Sequence, residues 1–334
     1  GALVNDKTFE SDEPGVSEAL KDALHFRATT SLEDAINHSD MLFVIVATPS
    51  LANGRYDHSQ VESLVSTLES MPAQKNTKHF VVCCTTMPGY CDSIAPRLES
   101  LNYTVSYNPE FIAQGTILKN QAYPDMVLIG EGTPEAGSLI QEVYVKHTLN
   151  TPRICRMSRV EAELTKLALN CFLTTKIAFA NMVGDIALSY GGSPDSILSA
   201  IGADSRIGGK YLGYGYGYGG PCFPRDNRAL AICADDVGLK ALISVASDES
   251  NKDHLCNQVG FYIDEHANKE KITFNYVTYK PESTLLVESQ QLAFAVALAE
   301  AGYPVEIVER ESVIEQLQSR YGDLFEYVER FDNG

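Results

Sequence analysis

Met41-Leu-Phe-Val-Ile-Val-Ala47 is an unbroken apolar run that ends in Thr48-Pro49-Ser50. It is too short for a helix buried on all sides, and its branched and aromatic residues favour extended backbone, so it predicts a strand covered on both faces. Such a strand belongs in a parallel sheet with helices above and below it. The following residues repeat the pattern: helix 59–71, strand 79–84 ending in Thr85-Thr86-Met87-Pro88, helix 90–99, strand 103–107 ending in Asn108-Pro109-Glu110, strand 126–129, helix 134–147 and a short strand at 152–155. Upstream, 17–24 and 32–37 read as short helices, the second capped by Ser31. Alternation with short loops predicts a doubly wound α/β sheet, whose ligands sit beyond the carboxyl ends of its strands. Thr48, Thr86 and Glu110 stand at that edge, though capping and turn chemistry explain any one of them equally well.

Residues 158–190 contain no proline and carry apolar residues at Leu164, Leu167, Ala168, Phe172, Ile177, Phe179, Met182 and Ile186. They predict a helix on the order of 50 Å long, a spine between domains or a dimer interface. Lys166 and Asn170 share one of its faces and mark either a polar pocket or a solvent-facing side. Helices follow at 193–201, 224–238 and 239–265. After Asn268-Lys-Glu-Lys271 a new β–α–β pattern begins, with strand 272–279, helix 287–301, strand 305–308 and helix 311–319. Two strands are fewer than a doubly wound domain needs, so this part reads as incomplete. The expected division is 1–157, 158–266 and 267–334.

With 44 acidic against 26 basic residues the net charge is −18, which excludes an extended basic face for nucleic acid or anionic membrane. The eight cysteines form no CxxC pair, and Cys83-Cys84 adjacency suits neither a metal knuckle nor a disulfide. No metal site is expected, and the cysteines read as reduced. No unbroken apolar run reaches membrane-spanning length and no secretory leader is visible, so a cytoplasmic chain is expected.

Gly213-Tyr-Gly-Tyr-Gly-Tyr-Gly-Gly-Pro-Cys-Phe-Pro-Arg-Asp226 concentrates the chemistry. Gly215, Gly217 and Gly220 fit the spacing G-x-G-x-x-G, but no strand precedes them and Pro221-Cys-Phe-Pro224 follows, so this is not a dinucleotide fingerprint. Glycines let backbone approach a ligand closely. Cys222 precedes a helix expected from Pro224, and a thiol there is favoured as thiolate, which makes it a candidate nucleophile. A buried structural cysteine in a Gly/Tyr loop is the alternative.

Seven stretches together resemble the nucleotide-sugar dehydrogenases of the UDP-glucose and GDP-mannose 6-dehydrogenase type. They are Val46-Ala-Thr-Pro-Ser50, Thr85-Thr-Met-Pro-Gly89, Asn108-Pro-Glu-Phe-Ile-Ala-Gln-Gly115, Pro124-Asp-Met-Val-Leu-Ile-Gly130, Glu163-Leu-Thr-Lys-Leu-Ala-Leu-Asn170, Ser205-Arg-Ile-Gly-Gly-Lys-Tyr-Leu212 and Gly217 to Asp226. The stretch from Arg206 to Leu212 looks more like the UDP-sugar members. The resemblance implies an incomplete N-terminal Rossmann-like domain, a central long-helix dimerisation domain and a second, partial Rossmann-like domain. It implies oxidation of a C6 alcohol to a carboxylate with two NAD⁺ and one water. Cys222 would form the thiohemiacetal and thioester. Lys166 with Asp226 and a water would accept the alcohol proton, Asn170 and Lys166 would stabilise an oxyanion, and Glu110 and Thr86 would activate and hold water. Phe111, Arg206, Tyr211, Leu212, Gly219 and Lys280 would contact the nucleotide sugar, with Arg206 reaching a neighbouring subunit. Thr48, Pro49, Thr86 and Gln114 would line the cofactor site, and the long helix would form a homodimer or higher homo-oligomer.

The sequence departs from the family pattern in places. The first β–α–β unit with its G-x-G-x-x-G, expected ahead of Leu3, is absent. Gln114 stands where a Glu is usual, Cys84 replaces a Lys, Met126 replaces an Arg, and Tyr276 to Lys280 lacks the usual Gly-Leu-Ala start. Leu285 and Val287 replace an Asp and an Arg. A same-fold protein that binds a nucleotide sugar without turnover is therefore the alternative. A cysteine-dependent transferase or hydrolase is a weaker reading, because no His lies in the motif stretches to act as base.

Overall fold

The computed structural model describes residues 5–330 except Lys7, Glu10, Asp12 and Glu282, so Leu3 lies outside the described residues. Two compact units divide the chain, Gly1–Lys166 and Leu167–Gly334. Each is taken by itself.

The first unit contains helices α1 (Val16–Asp22) and α2 (Leu32–His38), strand β1 (Met41–Val44), α3 (Ser59–Glu69), β2 (Lys78–Val82), α4 (Tyr90–Glu99), β3 (Tyr103–Tyr107), α5 (Ile117–Ala122), β4 (Met126–Gly130), α6 (Pro134–His147) and β5 (Arg153–Met157). The strands form one sheet in the order β1-β2-β3-β4-β5. β1, β2 and β3 are parallel. β4 meets β3 antiparallel, through Tyr107 opposite Gly130, and β5 is parallel to β4. The reversal follows from the connection after β3, whose only helix is the six-residue α5, too short to serve as a crossover helix. The apolar faces alternate along each strand as sheet geometry demands. Phe80, Val82, Val105 and Tyr107 pack with Ile36, Val61, Val65, Ile94 and Leu98 from α2, α3 and α4. Val81, Cys83, Val127 and Ile129 pack on the other face with Ile140 of α6. β1 ends at Val44, earlier than the apolar run suggested, and Phe43 and Ile45 beside it are exposed.

Helix α7 (Arg159–Ser189) begins in the first unit, and its residues from Leu167 on belong to the second. The second unit continues with α8 (Pro194–Gly202), α9 (Phe223–Asp236), α10 (Leu242–Glu265), β6 (Ile272–Phe274), α11 (Gln290–Glu300), β7 (Val305–Glu309), α12 (Glu311–Tyr321) and β8 (Glu326–Glu329). β6, β7 and β8 form a parallel sheet in that order. Its core is Phe274, Leu292, Ala295, Leu298, Ile307, Val313, Leu317 and Phe325. β8 was not foreseen: Glu326-Tyr-Val-Glu329 is half charged, and Lys271 pairs with Glu326. β6 stops at Phe274 because the chain turns after it, as described below.

α7 is long and apolar enough to cross a membrane by length and composition, although no unbroken apolar run marks it. Its buried residues are partly polar, namely Glu163, Lys166, Asn170, Thr174, Asn181 and Asp185. Phe172, Phe179, Met182 and Ile186 are exposed.

Candidate active site

In the first unit the strand ends are tied down by buried polar groups. Thr48, just beyond β1, donates from Oγ1 to the Thr85 carbonyl at 2.8 Å. Pro49 follows it, exposed, and its carbonyl accepts from the Asp57 amide at 2.8 Å. Thr86 is fully buried and donates to Glu163 Oε1 at 2.9 Å. Glu163, also fully buried, accepts further from the Gly89 amide at 2.6 Å and the Cys91 amide at 2.9 Å. These amides open α4, where a helix N-terminus leaves backbone donors unsatisfied, so the carboxylate is both cap and anchor. Burial holds the Glu163 carboxyl above its ordinary value, against the opposing pull of its donors. No role was read for Glu163 in the sequence. The available signal was its place in Glu163-Leu-Thr-Lys166, one helical turn before Lys166.

Asn108 is buried, with its amide nitrogen donating to the Leu128 carbonyl at 2.9 Å and its oxygen accepting from Tyr144 Oη at 2.8 Å. That fixes the turn carrying Glu110. Burial raises the Glu110 carboxyl above the usual carboxylate range, against the opposing pull of Lys166 and His147. Lys166 Nζ donates to the Glu110 carbonyl at 2.5 Å and lies 4.2 Å from the centre of the Phe111 ring. The first unit therefore brings together Glu110, Phe111 and Lys166 as one group, and Thr86 with Glu163 as another. Gln114 lies on the exposed stretch after Phe111.

In the second unit Cys222 is exposed and is the N-cap residue of α9. Its carbonyl accepts the Asp226 amide at 2.9 Å, starting the helix. Asp226 is almost fully buried, accepts from Asn170 Nδ2 at 2.6 Å and lies 3.4 Å from Arg225 Nε. The structure thus joins Asn170, Asp226 and the base of Cys222. The glycine run reaches this place by close backbone approach. A Cβ on Gly219 would lie 2.1 Å from the Glu288 carbonyl oxygen, and one on Gly220 would lie 2.5 Å from the Tyr279 ring. Tyr279 is pushed up by burial and then by Cys222, so ring and sulfur are electrostatic neighbours.

The remaining substrate candidates divide. Leu212 is buried against Ala180 and Leu198, so its side chain serves the core and its backbone is what a ligand could meet. Tyr211 has a positive φ of 60° and is half exposed, edge-on to Phe223 at 6.5 Å. Arg206 is exposed and paired with Asp204 of its own turn at 2.7 Å. Lys280 lies in a turn ordered by fully buried Glu309, which accepts from the Val277 amide at 3.1 Å and Thr278 Oγ1 at 3.3 Å. That carboxylate is why β6 ends early: the backbone donor of Val277 goes to a side chain.

Family models match two spans of the chain. Residues 2–148 match the NAD binding domain and residues 160–253 the central domain of the UDP-glucose/GDP-mannose dehydrogenase family. UDP-glucose 6-dehydrogenase of Pseudomonas aeruginosa is 30% identical over 308 residues, covering 88% of this chain and 67% of that protein. The chain belongs to the UDP-glucose/GDP-mannose dehydrogenase family. GDP-mannose 6-dehydrogenase of Pseudomonas syringae pv. tomato is nearly as similar, 29% identical over 319 residues, covering 91% of this chain and 72% of the relative. A UDP-glucose dehydrogenase structure from the archaeon Pyrobaculum islandicum superposes with a TM-score of 0.85 at 29% identity, covering 98% of this chain and 78% of that one. The dehydrogenase family thus accounts for the mixed α/β fold and the central long helix, and its first domain makes NAD the dinucleotide. Thr48 and Thr86 stand just beyond the carboxyl ends of the neighbouring strands β1 and β2, the edge at which a doubly wound sheet holds a dinucleotide. Among the described residues no glycine-rich turn leads from a strand into a helix ahead of β1.

Proposed function

We propose that this chain carries out the four-electron oxidation of a nucleotide sugar, UDP-glucose to UDP-glucuronate, with Cys222 as nucleophile. The observation that supports it best is the buried Asn170–Asp226 pair at the base of an exposed helix-capping cysteine. NAD, when bound, would supply the hydride acceptor for both oxidations. Thr48, Pro49, Thr86 and Gln114 would hold it. Lys166 and Asp226, through a water, take the proton of the C6 hydroxyl as it becomes an aldehyde. The Cys222 sulfur then bonds to the aldehyde carbon, and its own proton passes to the resulting oxygen. Asn170 and Lys166 stabilise negative charge developing there. Loss of the second hydride and that oxygen's proton leaves a thioester. Glu110, held up by burial and so a stronger base than an exposed Glu, takes a proton from a water positioned by Thr86. The hydroxide carbon–oxygen bond forms, the carbon–sulfur bond breaks, and the thiolate returns.

Gly219, Tyr211 and the Leu212 backbone would line the sugar, with Phe111 and Lys280, while Arg206 would reach the substrate of a neighbouring subunit. UDP-glucose rather than GDP-mannose is favoured by the Arg206 to Leu212 stretch. We also propose three functional parts, 1–157, 158–266 and 267–334, a cytoplasmic location and a homodimer through the exposed apolar face of α7. The second reading, a binder without turnover, is favoured by Val287, whose carbonyl accepts from the Gly220 amide at 3.1 Å and whose side chain brings no charge to the glycine run. Steady-state NADH formation with UDP-glucose and with GDP-mannose, in the wild type and Cys222→Ser, separates them. The first reading requires turnover that the substitution abolishes, whereas binding by calorimetry with no NADH supports the second.

A further inference from the structure

His254 of α10 is almost fully buried between oxygen acceptors at both ring nitrogens. Its Nδ1 lies 2.9 Å from each carboxylate oxygen of Asp185 on α7, and its Nε2 lies 2.7 Å from the Gly215 carbonyl oxygen. A neutral imidazole has one N–H and one bare nitrogen, so it would set a lone pair against an oxygen at one end. Asp185 also accepts from Tyr214 Oη at 3.0 Å and Asn257 Nδ2 at 2.9 Å, the surroundings of an ionised acid. A ring with protons on both nitrogens satisfies every partner. The titratable groups it touches are Asp185 and Tyr214, whose ring stands edge-on at 5.5 Å; Asn257 and Gln258 beside them are neutral.

The tyrosines of this loop are packed, Tyr214 against Ala180 and Leu198 and Tyr216 edge-on to Phe294, while its backbone at Gly215 is held by hydrogen bonds. A Cβ built on Gly213 or Gly215 meets nothing within 4 Å, whereas one on Gly217 or Gly219 collides with Asn251 or Glu288. The Gly215 amide donates to Asn181 Oδ1 at 3.1 Å, and its carbonyl also accepts from Gln258 Nε2 at 3.1 Å. Three residues on, Asn251 accepts from the Tyr218 amide at 2.8 Å and donates to its carbonyl at 2.9 Å. Side chains of α7 and α10 thus grip residues 214–218 just before Gly219 and Cys222.

We propose that His254, protonated on both nitrogens between Asp185 and Gly215, is a positioning residue that fixes the glycine–tyrosine loop and through it the substrate contact at Gly219 and the sulfur of Cys222. The proposal rests on the functional reading above. Hydrogen exchange read by mass spectrometry tests the grip without needing turnover. His254→Gln keeps one donor and loses the other, and is expected to speed exchange of 213–218 about tenfold, the loss of one charge-assisted bond, with α7 still protected. It is also expected to raise the KM for UDP-glucose by a similar factor, with kcat changed less. Asp185→Asn lets a neutral ring accept at Nδ1 and still donate to Gly215, so its effect on 213–218 is expected to be smaller. Unchanged exchange in His254→Gln overturns the proposal, as does faster exchange with unchanged kinetics or an equal loss in Asp185→Asn. Should His254→Gln unfold, side-chain nitrogen NMR of the wild type decides, since two protonated ring nitrogens are expected and one bare nitrogen overturns it. A wild type that neither binds nor oxidises UDP-glucose, yet exchanges slowly at 213–218, overturns the functional reading first and the positioning role with it.

Discussion

In the proposed mechanism Glu110 joins pH to rate. Its carboxyl is raised by burial, so it stays protonated to higher pH than an ordinary Glu and can take a proton from water only above that raised value. Thioester hydrolysis is therefore expected to rise with pH along a limb whose midpoint lies above the usual Glu range. Glu110→Gln should slow hydrolysis by about 10²–10⁴-fold and let a sugar–enzyme adduct accumulate on Cys222, visible as added mass in intact-protein spectrometry. A turnover profile that keeps its limb in Glu110→Gln would assign that limb to another group. Glu163 works through other residues. Glu163→Gln leaves at least one of the Gly89 and Cys91 amides without its acceptor, and a loss of about 1–3 kcal/mol is expected in denaturant unfolding. At this scale the sequence marked residues by type and motif, Cys222, Glu110, Lys166 and Asp226 among them. It could not mark Glu163 or His254, because their partners lie far along the chain, at Thr86 and Gly89 for one and at Asp185 and Gly215 for the other.

The elements were legible where periodicity is strong and less so where side chains overrule it. α3, α4, α6 and α7 match their apolar patterns to within a residue or two. β6 was expected to run to Tyr279, but Glu309 captures the Val277 amide and ends it. α5 is a helix of six residues without an apolar stripe, and β8 is edge-like and charged, so neither gives a periodic signal. Glycine placement makes a prediction at this scale. At Gly219 a Cβ meets backbone, which cannot move aside as a flexible side chain would. Gly219→Ala is expected to shift the loop and lower kcat/KM about tenfold or more, a barrier change of about 1.4 kcal/mol, whereas Gly215→Ala meets open space and should be mild. Equal effects of the two would show that close approach at Gly219 is not what the glycine supplies.

At the scale of the molecule, the long helix carries Glu163, Lys166, Asn170, Thr174, Asn181 and Asp185 inward and Phe172, Phe179, Met182 and Ile186 outward. An apolar stripe left in water is an unpartnered interface. The expected assembly is a homodimer through this face, and Phe179→Asp should convert it to a monomer in sedimentation velocity. A wild type that sediments as a monomer would contradict this. The α/β class, the first sheet, two of the three strands of the second and the helix joining the sequence of the two units were readable from pattern alone, while β8 and the antiparallel turn of β4 were not, the latter because strand direction depends on what the connection after β3 can cross.

The most direct measurement is NADH produced per UDP-glucose consumed, with Cys222→Ser alongside the wild type. Two NADH per sugar in the wild type, with turnover lost and UDP-glucose binding kept in Cys222→Ser, is the expected result. Undiminished turnover in Cys222→Ser, or UDP-glucose bound with no NADH formed by the wild type, would contradict a cysteine-borne four-electron oxidation.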